Sequence, residues 1–239
     1  MNVDKKTARV AGVLYLIIII AGIFAEFFVR QSLIVPGDAT ATASNIMASE
    51  GLFRVGIAGD LIMIMCDVAL AVIFYVLLRP VSNSLALLAA FFRLAQATIL
   101  GINLLNLFFV LQLLSGAGYL TVFGADQLPA LILLFLNAHS IGYSIGLVFF
   151  GLSLFVLGYL VFKSGYFPRI LGVFLLVAAS GYLIDSFASF LLPTYEAYEA
   201  TFALVVFLPA FIGELSMCLW LLLKGVKVQR TQLQPSHAS

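Results

Sequence analysis

Six ionisable side chains, Glu26, Asp60, Asp67, Arg93, Asp185 and Glu214, fall in or beside long apolar runs of this 239-residue sequence. An ionised group at a bilayer centre costs about 2.5–3.5 kcal/mol on insertion scales, so such groups face a bundle interior and pair there. The chemistry open to them is ion pairing, cation binding and hydrogen bonding to a solute. Asp67 and Arg93 each stand thirteen positions from Pro80, which marks a turn between two apolar runs. At about 1.5 Å rise per residue they reach the same depth and form a charge-assisted pair. Glu214 stands ten positions before Lys224 and joins that level. Ionised together, the three leave one surplus negative charge, which a proton on one acid or a bound cation would neutralise.

A second polar set, Glu26, Asp60, Asn103, Asn106, His139 and Asp185, lies further from the basic turns. Arg93, Gln96, Asn103 and Asn106 share one stripe of a helix turned about 100° per residue, and that stripe faces inward. The two sets are expected to line one pocket opening to the outer face. Interhelical hydrogen bonding alone is the competing reading of the same residues, worth about 0.6 kcal/mol per bond. His139 with Glu26, Asp60 or Asp185 has donors a metal accepts, but one histidine without a paired-ligand motif specifies no metal site. Gly142-Tyr143-Ser144-Ile145-Gly146 matches the G-x-S-x-G string of serine hydrolases. That string works on a strand-to-helix turn, whereas here it lies inside an apolar helix, where the two glycines suit close helix packing.

The elements that must position these groups are spanning helices. Hydrophobic residues make up 63% of the chain and charged residues 10%, with mean hydropathy +1.16. Soluble domains carry about 25% charged residues, so a chain this apolar needs lipid around it. A net charge of +1 gives no reason to expect nucleic acid. Cys66 and Cys218 both sit in apolar runs without metal spacing and read as core residues.

Six spans are expected at residues 10–29, 53–78, 85–114, 140–162, 170–192 and 202–223, in one domain over residues 1–224 with a polar cytoplasmic tail at 225–239. The first run is too long for a signal-peptide core, which has about 7–15 residues. Arg79-Pro80-Val81-Ser82-Asn83 and the Lys163–Arg169 segment are tight turns. Asp38 is placed to cap a short helix too polar to span, and the stretch 127–137 is either an interfacial helix or an extension of span four. Pro209 is expected to kink span six.

Lys5, Lys6, Arg9, Arg79, Lys163, Arg169, Lys224, Lys227 and Arg230 fall on one side, against Arg30 and Arg54 on the other. Asp126, Glu196 and Glu199 add acids to that second side. The positive-inside rule therefore places both termini in the cytoplasm. The sequence thus describes an all-α integral membrane protein, a six-helix transmembrane bundle with membrane lipids around it. Its polar residues suit a small-molecule, lipid or ion ligand. An intramembrane enzyme using His139 and the outer acids is the alternative, and a structural or signalling subunit is a third; no cofactor is specified.

Ala8-Arg9-Val10-Ala11-Gly12, Ile34-Val35-Pro36-Gly37-Asp38, Gly59-Asp60-Leu61 and Cys66-Asp67-Val68-Ala69-Leu70 carry a resemblance. Tyr75-Val76-Leu77-Leu78-Arg79-Pro80-Val81 and Phe92-Arg93-Leu94 continue it. The chain resembles the bacterial and archaeal membrane family catalogued as domain of unknown function 4386. That resemblance implies a multi-pass protein of a prokaryotic cytoplasmic membrane and brings no activity, substrate or ligand.

Overall fold

A computed structural model describes residues 5–124 and 127–226. Among these residues the chain is helical and contains no strand. Six helices are long and apolar enough to cross a membrane: α1 (Lys5–Leu33), α3 (Glu50–Leu78), α4 (Asn83–Leu113), α5 (Gln127–Lys163), α6 (Arg169–Leu191) and α7 (Tyr195–Leu223). Between the first two lies a short helix, α2 (Ala39–Ala48). Asp126, Lys227, Arg230 and the rest of the C-terminal tail lie outside the described residues, as do the side chains of Glu196 and Glu199.

Local chemistry sets the helix ends. Ser82 accepts a hydrogen bond from the Leu85 amide and starts α4, while Asp38 accepts one from the Ala41 amide at 2.8 Å and starts α2. Both satisfy amides that the first helical turn leaves unpaired. Gly165, at φ +68°, turns the chain between α5 and α6 in a conformation that favours glycine.

Helices adjacent in sequence pack side by side, and α7 returns to α1, closing a ring of six. Close approach depends on small residues. A Cβ on Gly172 of α6 would come within 2.6 Å of the Phe162 backbone nitrogen of α5. The helix α2 reaches across one end of the ring to pack on α5, burying Thr42, Ala43 and Ile46. That end, which also carries the segment 114–124, is here the long-loop end; the Pro80 and Gly165 turns mark the basic end.

Three features bear on the expected helix boundaries and on Pro209. Residues 127–137 extend α5 continuously, because Pro129 occupies the third position of the helix, where an amide has no intrahelical acceptor to lose. The helix α7 runs through Pro209 without a break; spanning helices tolerate proline where neighbours shield the freed carbonyl. Finally, α1 continues past residue 29 through a π-helical stretch, Phe24–Arg30, to Leu33. A π-helical turn shifts the facing of every residue beyond it. Arg30 is thereby buried at 8% exposure rather than left in a loop.

Candidate functional site

Every one of the six spanning helices contributes a side chain to one central layer. Asp67 of α3 accepts from Arg93 of α4 through Nη2 at 2.5 Å and Nε at 2.9 Å, and its other oxygen accepts from Gln96 Nε2 at 3.2 Å. The guanidinium lies between two rings, its Cζ 5.7 Å from the centroid of Tyr15 (α1) and 5.1 Å from that of Phe150 (α5). Cation–π contact of this kind stabilises a desolvated arginine. Glu214 of α7 accepts from the Tyr15 hydroxyl at 3.2 Å and from the Tyr182 hydroxyl of α6 at 2.7 Å. Tyr182 in turn meets Phe150 edge to face.

The charged residues of the layer are buried: Asp67 and Arg93 are each 2% exposed and Glu214 8%. Among the described residues no lysine, arginine or histidine comes within 4.0 Å of Glu214. Its hydrogen-bond partners are neutral hydroxyls, so the arginine is bonded to one carboxylate while two lie in the layer. Arg93 Nη1 and Gln96 Oε1 are buried without a hydrogen-bond partner.

A second layer lies two helical turns towards the long-loop end. Asp60 and Asp67, Asn103 and Gln96, and Tyr143 and Phe150 are each seven positions apart, or about 10 Å along a helix. Arg30 donates to Asp60 through Nη1 at 2.6 Å and to Glu26 through Nε at 2.8 Å. Its Cζ lies 5.9 Å from the Tyr143 ring. The Glu26 side chain is 45% exposed, so this layer, unlike the central one, meets its surroundings. Beside it, Asn103 donates to the His139 carbonyl at 2.8 Å, and Asn106 donates to Asn103 Oδ1 at 2.9 Å. Gly142 makes that contact possible, since a Cβ there would fall on the Asn103 carboxamide. His139 Nε2 is buried without a partner.

The expected residues thus separate into two groups with one left out. Asp67, Arg93, Gln96 and Glu214 come together, as do Glu26 with Asp60 and Asn103 with Asn106 and His139. Asp185 instead accepts from Tyr195 at 2.8 Å at the α6–α7 connection. Among the described residues His139, Glu26, Asp60 and Asp185 do not converge as a metal donor set. Ser144 donates back to the Ser140 carbonyl at 3.2 Å, and among the described residues no histidine or carboxylate is hydrogen-bonded to it. One pocket shared by both layers was the sequence expectation; Asp67 bonds Arg93 and Gln96 directly, whereas Glu214 is held by Tyr15 and Tyr182, and Arg30 joins Glu26 to Asp60. Two clefts open elsewhere: an apolar one between α3, α4 and α5 beneath Arg93, and a groove between α3 and α4 rimmed by Arg54. Of the expected residues only Arg93 lines either.

Tyr15, Tyr182, Tyr143 and Arg30 were missed by sequence reasoning. A depth signal was available for one tyrosine: Tyr182 stands thirteen positions from Arg169, and Phe150 thirteen from Lys163, matching Asp67 and Arg93 from Pro80.

The sequence model described as a domain of unknown function (DUF4386) matches residues 10–225, which takes in both layers. A relative from Archaeoglobus fulgidus, described as an uncharacterized protein, is 32% identical over 179 residues, covering 75% of this chain and 89% of that protein. No solved structure matches. The matched span and the archaeal relative agree, and the chain belongs to the DUF4386 family.

Proposed function

We propose that this protein binds a monovalent cation, a proton foremost, at Glu214 in the middle of a prokaryotic cytoplasmic membrane, as the species it translocates or couples to a solute. The observation that carries this reading is the charge arrangement of the central layer. Two carboxylates and one guanidinium share a buried site, and among the described residues the second carboxylate hydrogen-bonds to hydroxyl groups alone. An unneutralised charge in such a place is costly, and intramembrane acids of this kind mark ion and proton pathways. The burial of Asp67, Arg93 and Glu214, each bonded to a neighbouring side chain, favours an ion over a larger solute. In this reading the basic end and both termini face the cytoplasm, following the Lys/Arg bias.

A cation that binds only the folded state stabilises it by mass action, by about 2.7 kcal/mol at a hundred times its dissociation constant. Purified protein in detergent should therefore melt higher as pH falls, or as sodium or lithium is added. Glu214→Gln should flatten that dependence, with Asp67, Arg93, Tyr15 and Tyr182 still in place around it. Equal dependence in both proteins would remove Glu214 as the site. Orientation is tested separately with an impermeant thiol reagent added outside cells: cysteines at Ser44 and Thr194 should react, and one at Ser164 should not. The reverse pattern would invert the topology.

A further inference from the structure

On α3, Arg54 is set apart from the other cations of the chain. Among the described residues it shares the long-loop end only with Arg30, which is buried against Asp60 and Glu26, whereas the Arg54 side chain is more than half exposed. Arg54 and Pro80 each stand thirteen positions from Asp67. That separation is about 20 Å on either side, or about 39 Å in all, close to the thickness of a bilayer with its headgroups, about 40–45 Å. With Asp67 at the midplane, the Arg54 guanidinium lies at the depth of lipid phosphates at the long-loop end.

Beneath Arg54 the face between α3 and α4 is hollow. A groove of about 380 Å³ runs there, within the size range of small-molecule sites, about 300–1,000 Å³. Ile57 and Leu104 are buried in its floor, while Leu61 and Phe108 stand exposed along it. Gly101 keeps it open, since a Cβ there would meet nothing within 4 Å. Apart from Arg54, every described residue on the lining is apolar. Leu61, six positions from Asp67, brings the groove to about 9 Å from the central layer, inside the hydrocarbon. A charged rim at headgroup depth, over an apolar slot that descends among acyl chains, fits an amphiphile.

The rim also selects among amphiphiles. Arg54 Nε donates to Glu50 Oε1 at 2.7 Å, one helical turn nearer the long-loop end, and both Nη groups are without a protein partner among the described residues. A phosphate takes such a guanidinium edge through paired N–H donors. Glu50 then faces a like charge, at a cost that a headgroup ammonium removes by bonding the carboxylate. We propose that the α3–α4 groove binds a phospholipid with a zwitterionic headgroup, its phosphate on Arg54, its ammonium on Glu50 and part of one acyl chain over Gly101. Neither charged residue belongs to either polar layer, so this site stands apart from Glu214.

Purified protein is offered phosphatidylethanolamine and phosphatidylglycerol with the same acyl chains, and bound lipid is counted by native mass spectrometry. Wild type should hold phosphatidylethanolamine about tenfold more tightly than phosphatidylglycerol, the least that a charge-assisted hydrogen bond to the ammonium provides. Gly101→Leu fills the groove without a clash at Cβ and should lose that lipid. Arg54→Gln, at an exposed position, should weaken its binding about tenfold, and Glu50→Gln should erase the preference between the two headgroups. Wild-type lipid occupancy in Gly101→Leu, or unchanged affinity in Arg54→Gln, overturns the site. Equal affinity of wild type for both lipids, the behaviour of bulk bilayer lipid, overturns it as well. A two-chain mass in wild type that Gly101→Leu abolishes would make a second copy of the chain the occupant, and that too overturns the proposal.

Discussion

The two polar layers are built to one plan and differ in what surrounds them. Each places two carboxylates with one arginine, Asp67 and Glu214 with Arg93, Asp60 and Glu26 with Arg30. In the second layer both acids bond the arginine directly, and one of them is 45% exposed at its side chain. Its surplus charge can be hydrated. In the central layer only Asp67 bonds the arginine, Glu214 has neutral partners, and all three residues are buried. Burial, not composition, turns an ordinary ion-pair cluster into a site that demands a neutralising species.

That comparison fixes the order of mutational effects. Loss of either partner of the central pair should cost most, about 3–5 kcal/mol, because it strands a charge with no route to water. Asp67→Asn and Arg93→Gln should each lower the melting temperature sharply, and the double variant should recover part of the loss. Additive losses would mean that the pair is not coupled. In the second layer Arg30→Gln should cost less, about 1–3 kcal/mol, since Glu26 remains exposed while Asp60 loses its partner. The exposed Glu50–Arg54 pair on α3 gives the baseline: Glu50→Gln should change stability by at most about 0.5 kcal/mol. A second-layer loss as large as the central one would erase the distinction between the layers.

The pairing of Asp67 with Arg93 was legible because a short hairpin about Pro80 makes equal sequence distance into equal depth. Glu214 was placed by the same counting from Lys224. Counting gives depth and not azimuth. Asp185, set at the right height for the second layer, turns instead to Tyr195 at the α6–α7 connection. Arg30 escaped notice because a regular span ends before it; only the π-helical widening and the continuation of α1 to Leu33 bring it against Asp60. The tyrosines were hidden for another reason. An intramembrane charge announces its own cost, but a tyrosine is half apolar and common in spanning helices, so its hydroxyl signals nothing until its partner is known. The closing of the ring by α7 on α1 was equally invisible, as no hairpin joins them.

The most direct test sets the two central carboxylates against each other. Asp67→Asn and Glu214→Gln remove the same charge from the same layer, one from the partner of Arg93 and one from the group with hydroxyl partners only. Melting in detergent at high pH without sodium or lithium should show a large loss for Asp67→Asn. Glu214→Gln should melt within about 1 kcal/mol of wild type or above it, because the surplus charge is gone and only neutral hydrogen bonds change. Equal, large losses in the two variants would make Glu214 a structural counterion like Asp67, and would contradict a cation site in the central layer.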